Sequence, residues 1–169
     1  MKLLAPILAI LACLVAGLVW AAAAKHVGAF ETWNVFTTTE GGKKICYMAS
    51  HPTKSDNSPA KRADAMVLIT HYPADKVFNE VAVQTGFAVK EGQDVDALIG
   101  GASFKLFFKD GAGWNRDASG DKAMVQSMRS GNSLIAKAIP VTGKLVEDTY
   151  SLKGFGAAHD ALNKACGAP

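Results

Sequence analysis

The chain has 169 residues, of which 20% are charged, and its formal net charge at pH 7 is only +3. So small a charge gives no basis for a concentrated basic surface, and a nucleic-acid partner is not expected. The length beyond residue 24 suits one ordinary domain that buries its own core, so we predict a single domain over residues 25–169.

Residues 1–24 have the three parts of a secretory signal peptide. Lys2 precedes an uncharged apolar run from Leu3 to Val19, and Ala22-Ala23-Ala24 suits cleavage before Lys25. Two other interpretations stay open. The run is close to the roughly 20 residues that span a bilayer, so it could remain as an anchor and give the chain its one membrane contact. Lipid attachment at Cys13 is the other. Export places the chain in the periplasm or outside a Gram-negative cell, where disulfides form.

Beyond residue 24, short alternating or apolar runs separated by turn sequences predict eight or nine strands. Two segments predict helices: 121–130, which Gly131 would cap, and 155–166, which carries an apolar stripe. Closely spaced strands of this kind indicate an antiparallel sandwich or barrel. The predicted strands are 32–36, 44–50, 66–72, 79–87, 95–99, 104–108, 134–141 and 145–152.

Two cysteines, Cys46 and Cys166, remain after removal of the predicted signal peptide. In an oxidising compartment such a pair indicates one disulfide. The bridge would close a loop of roughly 120 residues and stabilise the fold by on the order of 4 kcal/mol in the chain-entropy model. Two free thiols or two metal ligands are the alternatives.

Sequence motifs for catalysis are largely missing. The chain has no G-x-S-x-G, no glycine-rich phosphate loop and no closely spaced histidine pair of the kind that binds zinc. His26 is expected in a disordered N-terminus. His71 ends a predicted strand, where it could bond to backbone or act as a ligand or base. No catalytic residue, metal site or cofactor is predicted.

Two candidate binding surfaces can be named. Residues 51–63 have the composition of an exposed loop, which Lys54, Lys61 and Arg62 make basic, and long loops on a rigid scaffold often carry binding sites. Phe107 and Phe108 are adjacent on one predicted strand and must point to opposite faces, so one of them could meet solvent, a helix or a partner. A solvated loop and ordinary core packing are the alternatives.

Several short motifs stand in one order along the chain. They are Trp33-x-Val35; Ile45-Cys46-Tyr47-Met48-Ala49-Ser50; Ile69-Thr70-His71-Tyr72-Pro73-Ala74; Asn79-Glu80-Val81; Ile99-Gly100-Gly101-x-x-Phe104-x-Leu106-Phe107; Gly113-x-Asn115; Thr149-Tyr150-Ser151-Leu152-x-Gly154-Phe155; and Ala165-Cys166. This ordered set resembles the invasion-associated locus B family of bacterial envelope proteins. The resemblance implies a secreted or periplasmic β-sandwich with a bridge between Cys46 and Cys166. It supplies no enzymatic activity and no catalytic residue to transfer.

Three functional hypotheses follow. The first is a non-enzymatic envelope protein that binds an envelope or host-surface component and contributes to host-cell invasion or envelope integrity. The second is a periplasmic hydrolase, which requires His71 to meet Asp64, Asp75 or Glu80 in a pocket. The third is a membrane-anchored assembly or stress factor, which requires the N-terminal segment to be retained.

Overall fold

The structure, a computed structural model, describes residues 23–168. Cys13 and the predicted signal peptide up to residue 22 lie outside the described residues. No helix between residues 23 and 168 is long and apolar enough to cross a membrane. The elements are β1 (Lys25–Phe30), β2 (Trp33–Glu40), β3 (Lys43–Ser50), β4 (Lys54–Asp56), β5 (Met66–Tyr72), β6 (Val77–Gln84), β7 (Val95–Ile99), β8 (Ala102–Lys109), β9 (Ala112–Trp114), α1 (Ala118–Ser130), β10 (Ser133–Ala138), β11 (Val146–Ser151) and α2 (Phe155–Cys166).

All paired strands are antiparallel and form one sheet in the order β1-β2-β3-β5-β6-β9-β8-β7-β10-β11-β4. Strand β8 joins its two halves, because Ala102 to Leu106 pair with β7 while Phe107 to Lys109 pair with β9. Both halves and both helices contribute to one hydrophobic cluster. The sheet is therefore folded over a shared core, and the prediction of a mainly β, antiparallel β-sandwich with two short helices is confirmed.

Alternation along the strands sends one face of each strand into this core. Trp33 of β2 shows how the layers meet. Its ring is fully buried, its indole N–H donates to the Ser151 carbonyl at 3.0 Å, and its edge meets Phe155 with ring centroids 5.0 Å apart. Burying one large apolar side chain stabilises a fold by about 2–3 kcal/mol. Trp33 thus fastens β2 to the end of β11 and to α2.

The helices begin and end at residues that satisfy their free backbone groups. The Asp117 carboxylate accepts the backbone N–H groups of Ser119 and Gly120 at 2.9 and 3.0 Å. The Ser119 hydroxyl also donates to it, and this bond, together with the two backbone bonds, holds the pKa of Asp117 below its usual range. Helix α1 thus begins three residues before the predicted start. Helix α2 has its predicted bounds, and Gly167, whose φ of 60° is left-handed, caps its C-terminus.

The predicted disulfide is present. Cys46 of β3 and Cys166 at the end of α2 are bonded, with their Cα atoms 5.9 Å apart and 120 positions apart in sequence. Both side chains are buried. The bridge fastens the C-terminal helix to the sheet.

Two edge strands were not predicted. Strand β1 contains His26, whose Nε2 lies 3.2 Å from the side-chain oxygen Oδ1 of Asn34. The prediction of a disordered His26 is therefore wrong. Strand β4 lies in the segment predicted as loop and pairs with β11. The β1 sequence shows no alternation, and β4 is three polar residues, so neither carries the period of two that identifies a strand.

Candidate functional site

The two candidate phenylalanines lie on opposite faces of β8, as their adjacency requires. Phe108 packs against the hydrophobic core on the same face as the buried Leu106. Phe107 points to the other face, where it lines a groove. Of the two, only Phe107 is therefore placed to contact a ligand.

The groove has a volume of about 450 Å³ and lies between the start of β6, the β8–β9 hairpin and the N-terminus of α1. We call it the aromatic groove. Three segments that are distant in sequence build it, so the complete fold is needed to form it. Its lining residues are Val77, Glu80, Val81, Phe107, Lys109, Asp110, Trp114, Asn115, Arg116, Asp117, Ala118 and Asp121.

Phe107 and Trp114 form the aromatic part of the groove. They stand directly opposite each other across the β8–β9 pair, so both rings lie on one face of the sheet. The Trp114 indole N–H donates to the Lys109 carbonyl at 3.0 Å. The Arg116 guanidinium lies over the Phe107 ring, 5.9 Å from its centroid. The sequence offered a signal here, since a two-residue turn at Asp110-Gly111 sets this register.

Two half-buried carboxyl groups form the opposite part of the groove. Asp121 Oδ1 accepts the Val81 backbone N–H at 3.1 Å and the Asn115 side-chain amide at 2.9 Å. Glu80 accepts a hydrogen bond from the Tyr72 hydroxyl. Burial raises the pKa of Asp121 and of Glu80, and the negative charge of Asp121 further raises the pKa of Glu80.

Two cations border the groove without a fixed counter-ion. Across residues 23–168, neither Lys109 nor Arg116 takes part in an ion pair. Both residues are exposed. The Arg116 guanidinium, 5.9 Å from the Phe107 ring centroid, has no hydrogen-bond partner among residues 23–168, so its N–H donors can bond to a ligand. The groove therefore offers hydrogen-bond donors beside the acceptors of Glu80 and Asp121.

The basic loop is held more tightly than its composition indicates. The Arg62 side chain is only 9% exposed and is ion-paired with Asp148, Nη1 lying 2.9 Å from Oδ1. Its Nε donates to the Thr85 carbonyl at 2.7 Å, and its guanidinium lies 4.9 Å from the Phe87 ring centroid. The hydrogen bonds that Arg62 donates to the Asp148 carboxylate raise the pKa of Arg62. Arg62 attaches the loop to the sheet.

The other two loop cations are exposed, and none of the three lines the aromatic groove. Lys54 pairs with Asp56 at 2.6 Å, and Lys61 extends into solvent. The partner of Arg62 was missed, although a signal existed. The period of two in β11 puts Asp148 on the same buried face as Val146 and Tyr150, where a carboxylate needs a cation.

His71 is fully buried and bonded to amide groups. Its Nδ1 accepts the Asn79 backbone N–H at 3.0 Å, which leaves Nε2–H to donate to the Asn163 side-chain oxygen at 2.8 Å. In the described part of the chain it has no hydrogen bond to Asp64, Asp75 or Glu80, and it does not line the aromatic groove. The arrangement that the hydrolase hypothesis requires is therefore not formed.

His159 of α2 lies beside His71 in the same buried network, with ring centroids 6.1 Å apart. Its Nε2 donates to the Asn79 side-chain oxygen at 2.7 Å, and its Nδ1 accepts from Arg129 at 2.8 Å. Burial and the Arg129 charge lower the pKa of His159 to about 4. No sequence spacing reveals this network, because its members come from β5, β6, α1 and α2. Among residues 23–168, no group of three or more His, Cys, Asp or Glu residues could hold a metal ion.

Comparison with known proteins agrees with the fold and the motifs. No curated protein matches the sequence. The crystal structure of invasion associated protein b from Bartonella henselae matches with a TM-score of 0.59 at 17% identity, over 82% of this chain and 95% of that chain. The family model for the Invasion associated locus B (IalB) protein matches residues 33–163, which is most of the chain. This chain therefore belongs to the invasion-associated locus B family.

Proposed function

We propose that this chain is an exported, non-enzymatic binding protein of the Gram-negative envelope, and that it contacts an envelope or host-surface component through the aromatic groove. The observation that carries the proposal is the groove itself. It is concave, it presents Phe107 and Trp114, and Arg116 at its border has no ion-pair partner among residues 23–168. Aromatic residues and arginine are the side chains most enriched at binding sites.

A non-enzymatic role is supported by the state of the groups that most often carry catalysis. His71 and His159 are buried and bonded to amides or to Arg129, so neither imidazole is free to take a proton from a substrate. Cys46 and Cys166 are bonded to each other, and the thiolate is the nucleophilic form of cysteine.

An exported location is supported by two features that agree. The N-terminal sequence has the parts of a signal peptide, and the disulfide belongs to an oxidising compartment. The Bartonella neighbour is described as an invasion associated protein, and we extend a role in invasion or envelope integrity to this chain on that likeness. N-terminal sequencing of the native protein tests export: a start at Lys25 supports it, and a retained Met1 supports the membrane-anchored alternative.

Site-specific photo-crosslinking in living cells tests the groove. A photo-reactive amino acid replaces Phe107 in one strain and Phe108 in a matched strain, because these neighbours point to opposite faces. We expect an adduct of higher mass from position 107 and none from 108, and Trp114→Ala should remove the adduct. The same amino acid at Lys61 probes the basic loop. An adduct from position 61 alone would move the contact to the loop, and no adduct from 107 or 61 would refute the binding role.

A further inference from the structure

We propose that the aromatic groove binds a neutral saccharide, one ring of which stacks on Trp114 while its hydroxyl groups bond to the polar side chains at the groove's edge. This inference rests on the proposed function, since it names the chemical class of the ligand for the same groove.

Trp114 supplies aromatic surface that a ligand in the groove can contact. It is partly exposed, and because its indole N–H is bonded to the Lys109 carbonyl, its one polar group is already satisfied. The Phe107 ring is partly covered by the Arg116 guanidinium. Trp114 is thus the platform, and Phe107 with Arg116 forms a side wall. The C–H face of a sugar ring is apolar and flat enough to lie on such a platform.

The charges around the platform do not favour a charged ligand. Two cations and four carboxyl groups line the groove. Asp117 is bonded to the N-terminal amides of α1, and Asp121 Oδ1 already accepts two hydrogen bonds. An anion would still meet Glu80 and Asp121, and a cation would meet Lys109 and Arg116. A charged ligand would therefore meet like charges whichever its sign, and the excess of carboxyl groups opposes an anion more than a cation.

Hydroxyl groups suit this mixed lining. Each hydroxyl can donate one hydrogen bond and accept two, so it can bond to a carboxyl group on one side and a guanidinium on the other. Glu80 and Asp121 are half-buried, so water only partly solvates these carboxyl groups. A ligand hydroxyl that donates to them replaces missing water. A neutral ligand brings no formal charge of its own that would have to leave water.

The size of the groove agrees with a short saccharide. About 450 Å³ falls within the range of roughly 300–1,000 Å³ that is usual for small-molecule sites. The openness of the groove toward solvent lets a longer chain continue beyond it. Sugar chains of this kind occur both in bacterial envelopes and on host surfaces.

Nuclear magnetic resonance of the ¹⁵N-labelled exported chain tests the proposal, because the two described tryptophans report separately. The probes are neutral mono- and disaccharides built from glucose, galactose, mannose and N-acetylglucosamine, with tetramethylammonium and acetate as charged comparisons. We expect at least one saccharide to shift the Trp114 indole signal saturably. The indole signal of Trp33, which is buried and bonded to Ser151, should not move.

Saturation-transfer spectra of the bound saccharide compare the variants. Loss of the platform in Trp114→Ala should weaken binding about tenfold or more, which corresponds to at least ~1.4 kcal/mol of binding free energy. Trp114→Phe should restore part of the affinity, and Lys61→Ala should leave it unchanged.

Two results would overturn the saccharide proposal. One is a Trp114 signal that no saccharide moves at millimolar concentration, and the other is a stronger response to either charged probe. If the photo-crosslink from position 107 still forms in that case, the groove binds a partner of another class and the proposed function stands. If the crosslink is also missing, both proposals fail.

Discussion

The protonation state of His159 depends strongly on the fold. Its Nδ1 accepts a hydrogen bond from Arg129, so a second proton on the ring would face a cation at 2.8 Å. His71 also faces it from β5, while Asp160 on its own helix favours the charged form. Burial and Arg129 outweigh Asp160, and the imidazole is held neutral.

The neutral His159 predicts a pH-dependent stability. Its pKa is about 4 in the folded chain and about 6.5 in an unfolded one, so between these values the unfolded state binds more protons. The free energy of unfolding should therefore fall as the pH decreases from about 6.5 to about 4, and this one group should remove about 3 kcal/mol. Urea unfolding measured across this range checks it. His159→Gln should flatten the slope, whereas His26→Gln at an exposed position should not. If the free energy of unfolding of His159→Gln varied with pH as steeply as that of the wild type, other groups would be the cause of the pH dependence.

Arg62 and Lys61 are adjacent cations with opposite surroundings. Removing Arg62 leaves Asp148 buried, and in the described part of the chain the Ser55 hydroxyl, at 2.6 Å, is its one remaining side-chain partner. Arg62→Ala should therefore lower the free energy of unfolding by about 3 kcal/mol, as for other broken buried pairs. Arg62→Lys should also destabilise the fold, because an ammonium group cannot form the bidentate hydrogen bonds that the guanidinium makes with Asp148.

Lys61→Ala removes the same formal charge from the surface and should change stability by less than about 0.5 kcal/mol. Equal losses in the two alanine variants would show that the ion pair does not hold the loop. Chemical denaturation of the three variants measures this.

At the scale of elements, local pattern decides what the sequence can predict. Strands β3, β5 and β7 have alternating or apolar runs beside turn residues, and α2 has an apolar stripe; each was predicted close to its observed bounds. Strand β2 was predicted to end at Phe36 but continues to Glu40. Strands β1 and β4 exist because neighbouring strands have free backbone groups to pair with them. Pairing of that kind depends on distant segments and leaves no mark in the local sequence.

Gly154 connects two elements that the sequence does not show to be close. It precedes α2 with a φ of 84°, and a Cβ there would lie 2.5 Å from the Phe30 carbonyl oxygen at the end of β1. Gly111 has nearly the same φ, 86°, but its Cβ would meet nothing within 4 Å. A comparison of the two glycines therefore distinguishes the cost of a left-handed backbone from the cost of a clash with β1.

Alanine at each glycine tests this contact. Gly111→Ala should destabilise by about 1–2 kcal/mol through backbone conformation alone. Gly154→Ala should lose more, and hydrogen exchange should increase along β1 in this variant only. Similar losses with no change in β1 exchange would mean that the backbone shifts to avoid the clash without cost.

At the scale of the whole molecule, the arrangement of the elements was beyond local sequence patterns. The fold class followed from closely spaced strands, but the strand order depends on β8, which pairs with β7 in its first part and β9 in its last. The aromatic groove has the same origin. Phe107 was predicted as a candidate, whereas Glu80, Arg116 and Asp121 join it only because β6 and α1 meet the β8–β9 hairpin.

The disulfide is a covalent constraint between distant parts of the chain, and it gives the final prediction. It joins β3 to the end of α2 across 120 positions, so it restricts most of the unfolded chain. Cys46→Ala/Cys166→Ala should lower the free energy of unfolding by about 4 kcal/mol, most of it through the greater freedom of the unfolded state. Urea unfolding of the exported chain, with and without a thiol reductant, measures the difference.

The reductant provides the matched control for this pair. Reduced wild type should unfold near the midpoint of the double variant, and the variant itself should not respond to reductant. Helix α2 also packs against β1, β2 and β3 without the bridge, so the native fold should persist in mild conditions after the bridge is removed. A double variant within about 1 kcal/mol of the oxidised protein would contradict the chain-entropy account, because a loop of this length should yield one of the larger effects. It would mean that the packing of α2 already restricts the chain.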